Sequence, residues 1–349
     1  MIISTKKKIF AKYSDSMLLP QLIQLENNLV MASFQLMKLM PAKYVIEKAL
    51  RESRLDPKSP IIETSSGTYA LGIGIICAEL GIPFHIISDP AIDEDLERRL
   101  QDLGGGVQIL TEALTSDNPQ IYRLNRLKEQ LAAHPGCYWP SQYNNPDNQH
   151  AYQIFAEQLL ENIGDDFTLV GTVGSGGSTC GTIKPLRQVN KDIRLVAVDT
   201  FGSVLFGLPN GKRMLRGLGN SILPGNLHHH EYDQVHWVSA QDAFRQTRYL
   251  HAKHSCFHGP TTGAAYHVAQ WLAKQNKDKI VVFIAPDTGH RYQSTIYNNA
   301  WLQGMNMLNQ PPTIAPTKFM KPGDVSGSWA YIDWNRKQYN DMMQIQQAV

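Results

Sequence analysis

Residues Phe167 to Arg187 read FTLVGTVGSGGSTCGTIKPLR, and the fold follows from them. An apolar β-prone run reaching Val173 meets Gly174-Ser175-Gly176-Gly177-Ser178, after which Thr179 to Val189 is predicted as a helix with Pro185 in its first turns. Glycines let a backbone approach an anion closely, and the N–H groups and dipole at a helix start favour negative charge. The hydroxyls of Ser175 and Ser178 add possible donors. A Walker loop needs GxxxxGK[ST] and a dinucleotide fingerprint needs GxGxxG; neither spacing is present, which leaves a monophosphate ligand or a glycine turn without one.

The same strand, turn and helix rhythm extends in both directions. Upstream, Pro60 to Glu63 leads into a Ser/Gly turn, a helix from Tyr69 to Leu80 stopped by Gly81, a strand PFHIIS from Pro83, a charged helix from Asp93 to Leu103 and a strand VQIL from Val107. Downstream of an Asn/Pro-rich loop, Gln142 to Gln149, come a helix at 151–163 and continuous apolar runs at Ile193–Thr200 and Ile280–Ala285. Runs apolar on every residue suit strands covered on both faces. The fold class is therefore read as α/β, two open parallel-sheet units with a cleft between them. From Trp301 onward the prolines and glycines of NQPPTIAPTKFMKPGDVSGSW break the rhythm, and an arm over a partner subunit or a lid is expected there.

Composition narrows the function classes. With 42% apolar and 18% charged residues and 33 basic against 31 acidic side chains, no basic stripe for nucleic acid or anionic lipid stands out. The four cysteines have no CxxC or Cys/His ligand spacing, so reduced thiols in a cytoplasmic protein are expected, with no metal. Lys6-Lys7-Lys8 precede no long apolar segment, and neither a secretory leader nor a membrane span is expected. The His228-His229-His230 run lacks a spaced further ligand and reads as a solvated loop.

A second turn, Thr64-Ser65-Ser66-Gly67-Thr68-Tyr69, sets hydroxyls and N–H groups between a strand and a helix. Such residues cap helices, and they equally suit a carboxylate. Together with the phosphate loop, the turn suits a ligand carrying a phosphate at one end and a carboxylate near the other.

These segments resemble the cysteine synthase and cystathionine β-synthase family, the fold-type-II (tryptophan synthase β-like) pyridoxal-phosphate enzymes. The resemblance runs from about Leu25 to Thr295. In order, the segments are Leu36-Met37-Lys38-Leu39-Met40-Pro41-Ala42, Ser65-Ser66-Gly67-Thr68-Tyr69-Ala70, Gln142-Tyr143-Asn144-Asn145-Pro146-Asp147-Asn148, and Gly174 to Ser178. Then come Arg216-Gly217-Leu218-Gly219 with Pro224 following, Thr261-Thr262-Gly263-Ala264, and Asp287 to Thr295.

The resemblance implies pyridoxal 5'-phosphate as cofactor, with Lys38 holding it covalently and shuttling the substrate's α-proton. Thr262 would bond the ring nitrogen, Thr68 would stand near the phenolic oxygen, and Gly174, Ser175, Gly176, Gly177 and Ser178 would hold the phosphate. The amino-acid substrate would meet Ser65, Ser66, Gly67, Tyr69, Gln142 and Arg216. Also implied are a smaller, mobile domain at 36–150, a larger cofactor-binding domain from 1–35 plus 151–300, an arm or lid at 301–349, and a homodimer.

The implied reaction is β-replacement on O-acetylserine or O-phosphoserine with sulfide or another nucleophile, giving cysteine or a related amino acid. Desulfhydrase activity, nucleophiles such as glutamate or homocysteine (cystathionine or diaminopropionate synthase types), and a member that binds without turnover remain open. A nicotinamide-dependent dehydrogenase fails on the glycine spacing. Three departures stand out: Thr68 replaces an asparagine, Leu39-Met40 replace Asp-Arg, and Arg216 replaces an acidic residue. The last points towards an anionic substrate such as O-phosphoserine, with Arg213 as a helper. Lys43 is the nearest competitor to Lys38.

Overall fold

The computed structural model describes residues 9–344 apart from 117, 216 and 309. In chain order the elements are α1 (Tyr13–Ser16), β1 (Gln21–Glu26), β2 (Leu29–Ser33), α2 (Leu39–Arg51), β3 (Ile61–Thr64), α3 (Thr68–Leu80), β4 (Phe84–Ser88), α4 (Glu94–Asp102), β5 (Gly106–Ile109), α5 (Pro119–Ala133), α6 (Asp147–His150) and α7 (Gln153–Ile163). They continue with β6 (Phe167–Thr172), α8 (Gly177–Val189), β7 (Arg194–Asp199), β8 (Gln234–Val238), α9 (Ala240–His254), α10 (Pro260–Gln275), β9 (Ile280–Ala285), α11 (Asn299–Gly304), β10 (Thr317–Lys318), β11 (Trp329–Asp333) and α12 (Tyr339–Gln344).

Among the described residues the strands form two sheets. One has eight strands in the order β1-β2-β9-β6-β7-β8-β11-β10, and the other is β3-β4-β5. The small sheet is parallel throughout, as is the run from β2 to β8 in the large one. Alternate residues of the central strands feed two different cores: Leu169, Leu195, Ala197, Val282 and Ile284 face one side, and Val170, Val196, Val198, Val281 and Phe283 the other. Both faces are covered, which is why the centres of these strands read as apolar on successive residues. The small sheet buries Ile61 and Ile86 against α2, α3 and α4, and Ile62 and Ile87 towards Leu127 of α5.

Several elements differ from expectation. The helix after the glycine loop begins at Gly177, and Pro185 lies well inside it, where its missing N–H would otherwise reach back to Gly181. Residues after 301, expected as an arm or lid, add two strands to the large sheet: β11 runs antiparallel to β8, and β10 pairs with β11. Trp329 and Trp334 are thereby buried. The β1–β2 hairpin, which joins the large sheet beside β9, has no counterpart in the sequence reading. The three-histidine run forms a short 3-10 turn in which His229 is buried rather than solvated. Its Nε2 lies 2.7 Å from the Leu205 carbonyl, and its ring packs on Trp334 and Tyr339. Among the described residues no helix is long and apolar enough to cross a membrane.

Candidate active site

Three helices that follow strands of the two sheets, or the loop before one, start on glycine with no side-chain cap: α3 at Gly67, α8 at Gly176 and α10 at Gly259. In contrast α4, α5, α9 and α11 are capped by Asp93, Asn118, Ser239 and Asn298. An uncapped start keeps N–H groups and the positive end of the dipole available to a ligand.

Contacts bring these three starts together at one place in the fold. Met37 N–H donates to the Pro286 carbonyl at 2.8 Å, and Leu36 pairs with Asp287, so Lys38 leaves the large sheet beside the end of β9. Asp287 carbonyl accepts from Gly259 N–H at 3.2 Å, which brings in the start of α10. The Thr261 methyl stands 3.9 Å from where a Cβ on Gly217 would lie, and the Gly217 carbonyl oxygen 3.2 Å from that of Gly174. Across the loop, Asn226 N–H donates to Tyr143 carbonyl at 2.9 Å, and Gln142 Nε2 donates to Thr64 carbonyl at 3.2 Å, reaching the Ser65 turn. Arg291 closes the ring: its Nε donates to Asp93 Oδ2 at 3.0 Å, and its Nη1 stands 3.8 Å from the Cβ position of Gly67.

Lys38 precedes α2 and is partly buried; with no ion-pair partner among the described residues, its amine is pushed down to about 8 by burial. Lys43, one turn on, is different. Burial would lower its pKa, but hydrogen bonds to Glu47 and Asp15, at 2.9 and 3.1 Å, raise it. A lysine that must act as a free amine near neutral pH needs the first environment.

The glycine loop forms a tight cradle. Gly176 has φ +78°, and a Cβ there would meet the Asn226 carbonyl oxygen at 2.6 Å, so both backbone conformation and space call for glycine. Ser175 and Ser178 are buried, and Ser175 Oγ accepts from Gly177 N–H at 3.4 Å. Gly219 N–H and Asn220 Nδ2 hold the loop's first carbonyls, Val173 and Gly174, at 2.8 and 3.0 Å.

Thr262, on the first turn of α10, is fully buried and its Oγ1 has no partner. Buried hydroxyls are nearly always bonded. A hydroxyl left open beside an uncapped helix start fits an aromatic nitrogen of a bound ring. The cradle, the desolvated Lys38 and the orphaned Thr262 hydroxyl together fit pyridoxal phosphate.

At the second turn, Ser65 is buried and its Oγ accepts from Gly67 N–H at 3.2 Å, while Ser66, Gly67 and Thr68 are partly exposed. Tyr69 points into the small-sheet core, so what it offers the cleft is its backbone. Gln142 is buried. Arg216 lies outside the described residues. Arg213 is turned to its own loop, donating to the Gly202 carbonyl and to Asn210 Oδ1.

Three buried ionisable groups were given no role in the sequence reading, although Asp287 opens one of its motifs. Glu63 lies in β3 with its acid pushed up to about 7 by burial. Asp287 is pushed up to about 6 by burial; Tyr292 Oη donates to its Oδ2 at 2.8 Å, while Oδ1 has no partner. Arg123 of α5 is buried with its Nε 3.1 Å from Asp89 Oδ2, at the carboxyl end of β4, and its Nη1 has no hydrogen-bond partner. Tyr143 is electrostatically coupled to Arg123 and hydrogen-bonds Gln120. Glu63 was legible as a lone acid in an apolar strand leading to a turn. Arg123 shares a helix face with buried Leu127 four residues on, a spacing that carried the only signal.

Residues 20–287 match the family model described as "Pyridoxal-phosphate dependent enzyme". The chain belongs to this family. It is 33% identical over 267 residues to an N-(2-amino-2-carboxyethyl)-L-glutamate synthase of Ralstonia nicotianae, covering 75% of this chain and 78% of that protein. A protein of the same name from Cupriavidus metallidurans is 31% identical over 281 residues, covering 79% and 82%. Among solved structures, the O-acetylserine dependent cystathionine beta-synthase from Helicobacter pylori is similar with a TM-score of 0.76 and 23% identity, over 84% of this chain and all of that one (100%). At that identity the likeness concerns the fold. The protein is thus a pyridoxal-phosphate-dependent enzyme, and its fold is that of the fold-type-II cysteine synthase-like structures.

Proposed function

We propose that this enzyme replaces the β-substituent of O-phosphoserine with the amino group of L-glutamate, releasing phosphate. The nucleophile is supported by the two relatives named as N-(2-amino-2-carboxyethyl)-L-glutamate synthases. The donor rests on one observation, Arg123: a buried guanidinium at the carboxyl end of the small sheet, with Nη1 open and Tyr143 beside it. Ligands in open parallel sheets bind at the carboxyl ends of strands. A buried cation with an unused donor matches a phosphate leaving group better than an acetate.

The bound cofactor supplies an electron sink conjugated to the substrate's α-carbon. In this reading Lys38 Nζ, as the free amine, takes the α-proton and later returns it. Gly174 to Ser178 hold the cofactor's phosphate, Thr262 Oγ1 donates to its ring nitrogen, and Thr68 stands beside the ring. The backbone at Ser65, Ser66, Gly67 and Tyr69, with Gln142, receives the α-carboxylate. Arg123 meets the leaving phosphate as the Cβ–O bond breaks; the incoming amine forms the new Cβ–N bond and gives up a proton. Residues 36–150 close over the cleft, and the chain acts as a cytoplasmic homodimer, both on the strength of the resemblance; sedimentation checks the dimer.

Changing Arg123 to Ala or Lys tests the donor. The ratio of O-phosphoserine to O-acetylserine turnover should fall by about tenfold or more, the worth of one charged hydrogen bond. An unaltered ratio removes the case for phosphate recognition. Mass spectrometry of wild-type reactions with glutamate and with sulfide decides the nucleophile.

A further inference from the structure

Glu63 is fully buried, and no lysine or arginine pairs with it among the described residues. The titratable groups that face it are the phenols of Tyr69 and Tyr143, both raised by burial and neutral near pH 7. Its charge is met by N–H dipoles instead. Oε1 accepts from Thr64 N–H at 2.8 Å and from Trp139 Nε1 at 3.0 Å; Oε2 accepts from Gln142 N–H at 3.3 Å. The N–H of Ser141 also donates to the carboxylate.

An ionised carboxylate has about four acceptor positions, and here four donors fill them. The donors come from two segments only. One is the end of β3, which runs straight into the Ser65–Thr68 turn. The other is the loop Trp139–Gln142, whose Ser141 is bent into the left-handed region at φ +53°. Left-handed backbone at a residue with a side chain is unfavourable unless its surroundings hold it. Gln142 Nε2 adds a fourth link between the two segments by donating to the Thr64 carbonyl at 3.2 Å. Strand packing by itself would be served at least as well by an apolar residue, because an unpaired buried charge is costly.

We propose that Glu63 is a positioning residue of the substrate site: its carboxylate holds the Ser65 turn and Gln142 at the separation that an amino acid's α-carboxylate requires. The proposal rests on the reading that these two segments receive that carboxylate. Glu63 itself touches no substrate. Only the ionised form has acceptors for all four N–H groups, since a protonated acid turns one oxygen into a donor. Burial raises Glu63 to about 7, so the clamp is complete above that pH and loosens as pH falls through it.

The test is binding of L-serine, which carries the α-carboxylate but no activated leaving group, to the holoenzyme, followed through the absorbance of the bound cofactor. Glu63→Gln keeps the shape but sets an amide NH2 against N–H donors. It should weaken L-serine binding by about tenfold or more with the resting absorbance of the bound cofactor unchanged, while the donors left unmet lower the melting temperature. The wild type should bind L-serine more weakly at pH 6 than at pH 8, and in Glu63→Gln this pH dependence should shrink. Trp139→Phe, which removes one donor and leaves the carboxylate, should weaken binding by about two- to threefold and serves if Glu63→Gln does not fold. These results support the proposal even if wild-type enzyme turns over no O-phosphoserine, in which case only the donor assignment falls. Wild-type affinity in both variants overturns it, and so does a wild type that binds no L-serine, which removes the carboxylate reading beneath it.

Discussion

Replacing Thr262 by valine should have opposite effects on the cofactor-free and cofactor-loaded protein. Valine keeps the branched shape and removes the hydroxyl, which is fully buried and has no partner. In the cofactor-free protein an unsatisfied buried hydroxyl costs about 1–3 kcal/mol, so Thr262→Val should be more stable by roughly 1 kcal/mol or somewhat more. In a chain of this size that is a rise in melting temperature of about 1–3 °C. With pyridoxal phosphate bound, the variant lacks one hydrogen bond worth about 0.5–1.5 kcal/mol, which weakens affinity by about 2- to 13-fold. Thermal melts of the cofactor-free protein and absorbance titrations with the cofactor measure the two terms separately. A Thr262→Val variant that is less stable without cofactor and binds it as tightly as wild type refutes the reasoning. Its hydroxyl would then be satisfied within the protein and would play no part towards the ring.

Lys38→Ala should abolish covalent retention of the cofactor. Because burial lowers the Lys38 amine to about 8, the free-base fraction climbs from about a tenth at pH 7 to about nine tenths at pH 9. Uptake of pyridoxal phosphate by the cofactor-free enzyme should accelerate about tenfold over that range, and a flat profile counts against Lys38. His236 is fully buried, accepts from Trp329 Nε1 at 3.2 Å, and is pushed down to about 3 by burial; His267 is pushed down to about 4. Histidines with lowered folded pKa values stabilise the fold above their unfolded value near 6.5, and that contribution is lost as pH falls below it. Unfolding free energy should drop by up to about 1.4 kcal/mol per pH unit for each between pH 6 and 4.5, and His236→Phe should flatten the denaturant-melt slope. Substrate should slow amide exchange in the Ser65 turn and at the start of α4, where the Arg291–Asp93 pair ties the two sheets; unchanged exchange there argues against closure.

The parallel α/β class was legible because strands covered on both faces are apolar through their centres: β9 is IVVFIA throughout, and β7 keeps LVAV between Arg194 and Asp199. The glycine loop was legible for a related reason. Gly176 needs a backbone conformation and a clearance that few other residues supply, so the requirement is written in residue type. Lys38 was identified by the order of its neighbouring segments, and the structure adds the desolvation that distinguishes it from Lys43.

The strands of the C-terminal segment were not legible in the sequence, for a physical reason. β11 lies between β8 and the two-residue edge strand β10, and the four prolines and two glycines of residues 309–329 dominate a local reading although Trp329 and Ala330 are core residues. Local sequence determined the α/β alternation, the glycine loop and the turn at Ser65, and it singled out Lys38 as the candidate lysine. Which buried charges face the cleft, and in what state, was decided by tertiary structure alone. Glu63 becomes a clamp because Trp139 and Gln142 arrive from nearly eighty residues away, 76 and 79 positions along the chain. Arg123 becomes a buried cation because α5 packs it against Asp89, and Thr262 has an open hydroxyl because α10 starts against β9 rather than in water. Desolvation and hydrogen-bond geometry depend on what comes together in space, and no window of the chain contains both partners.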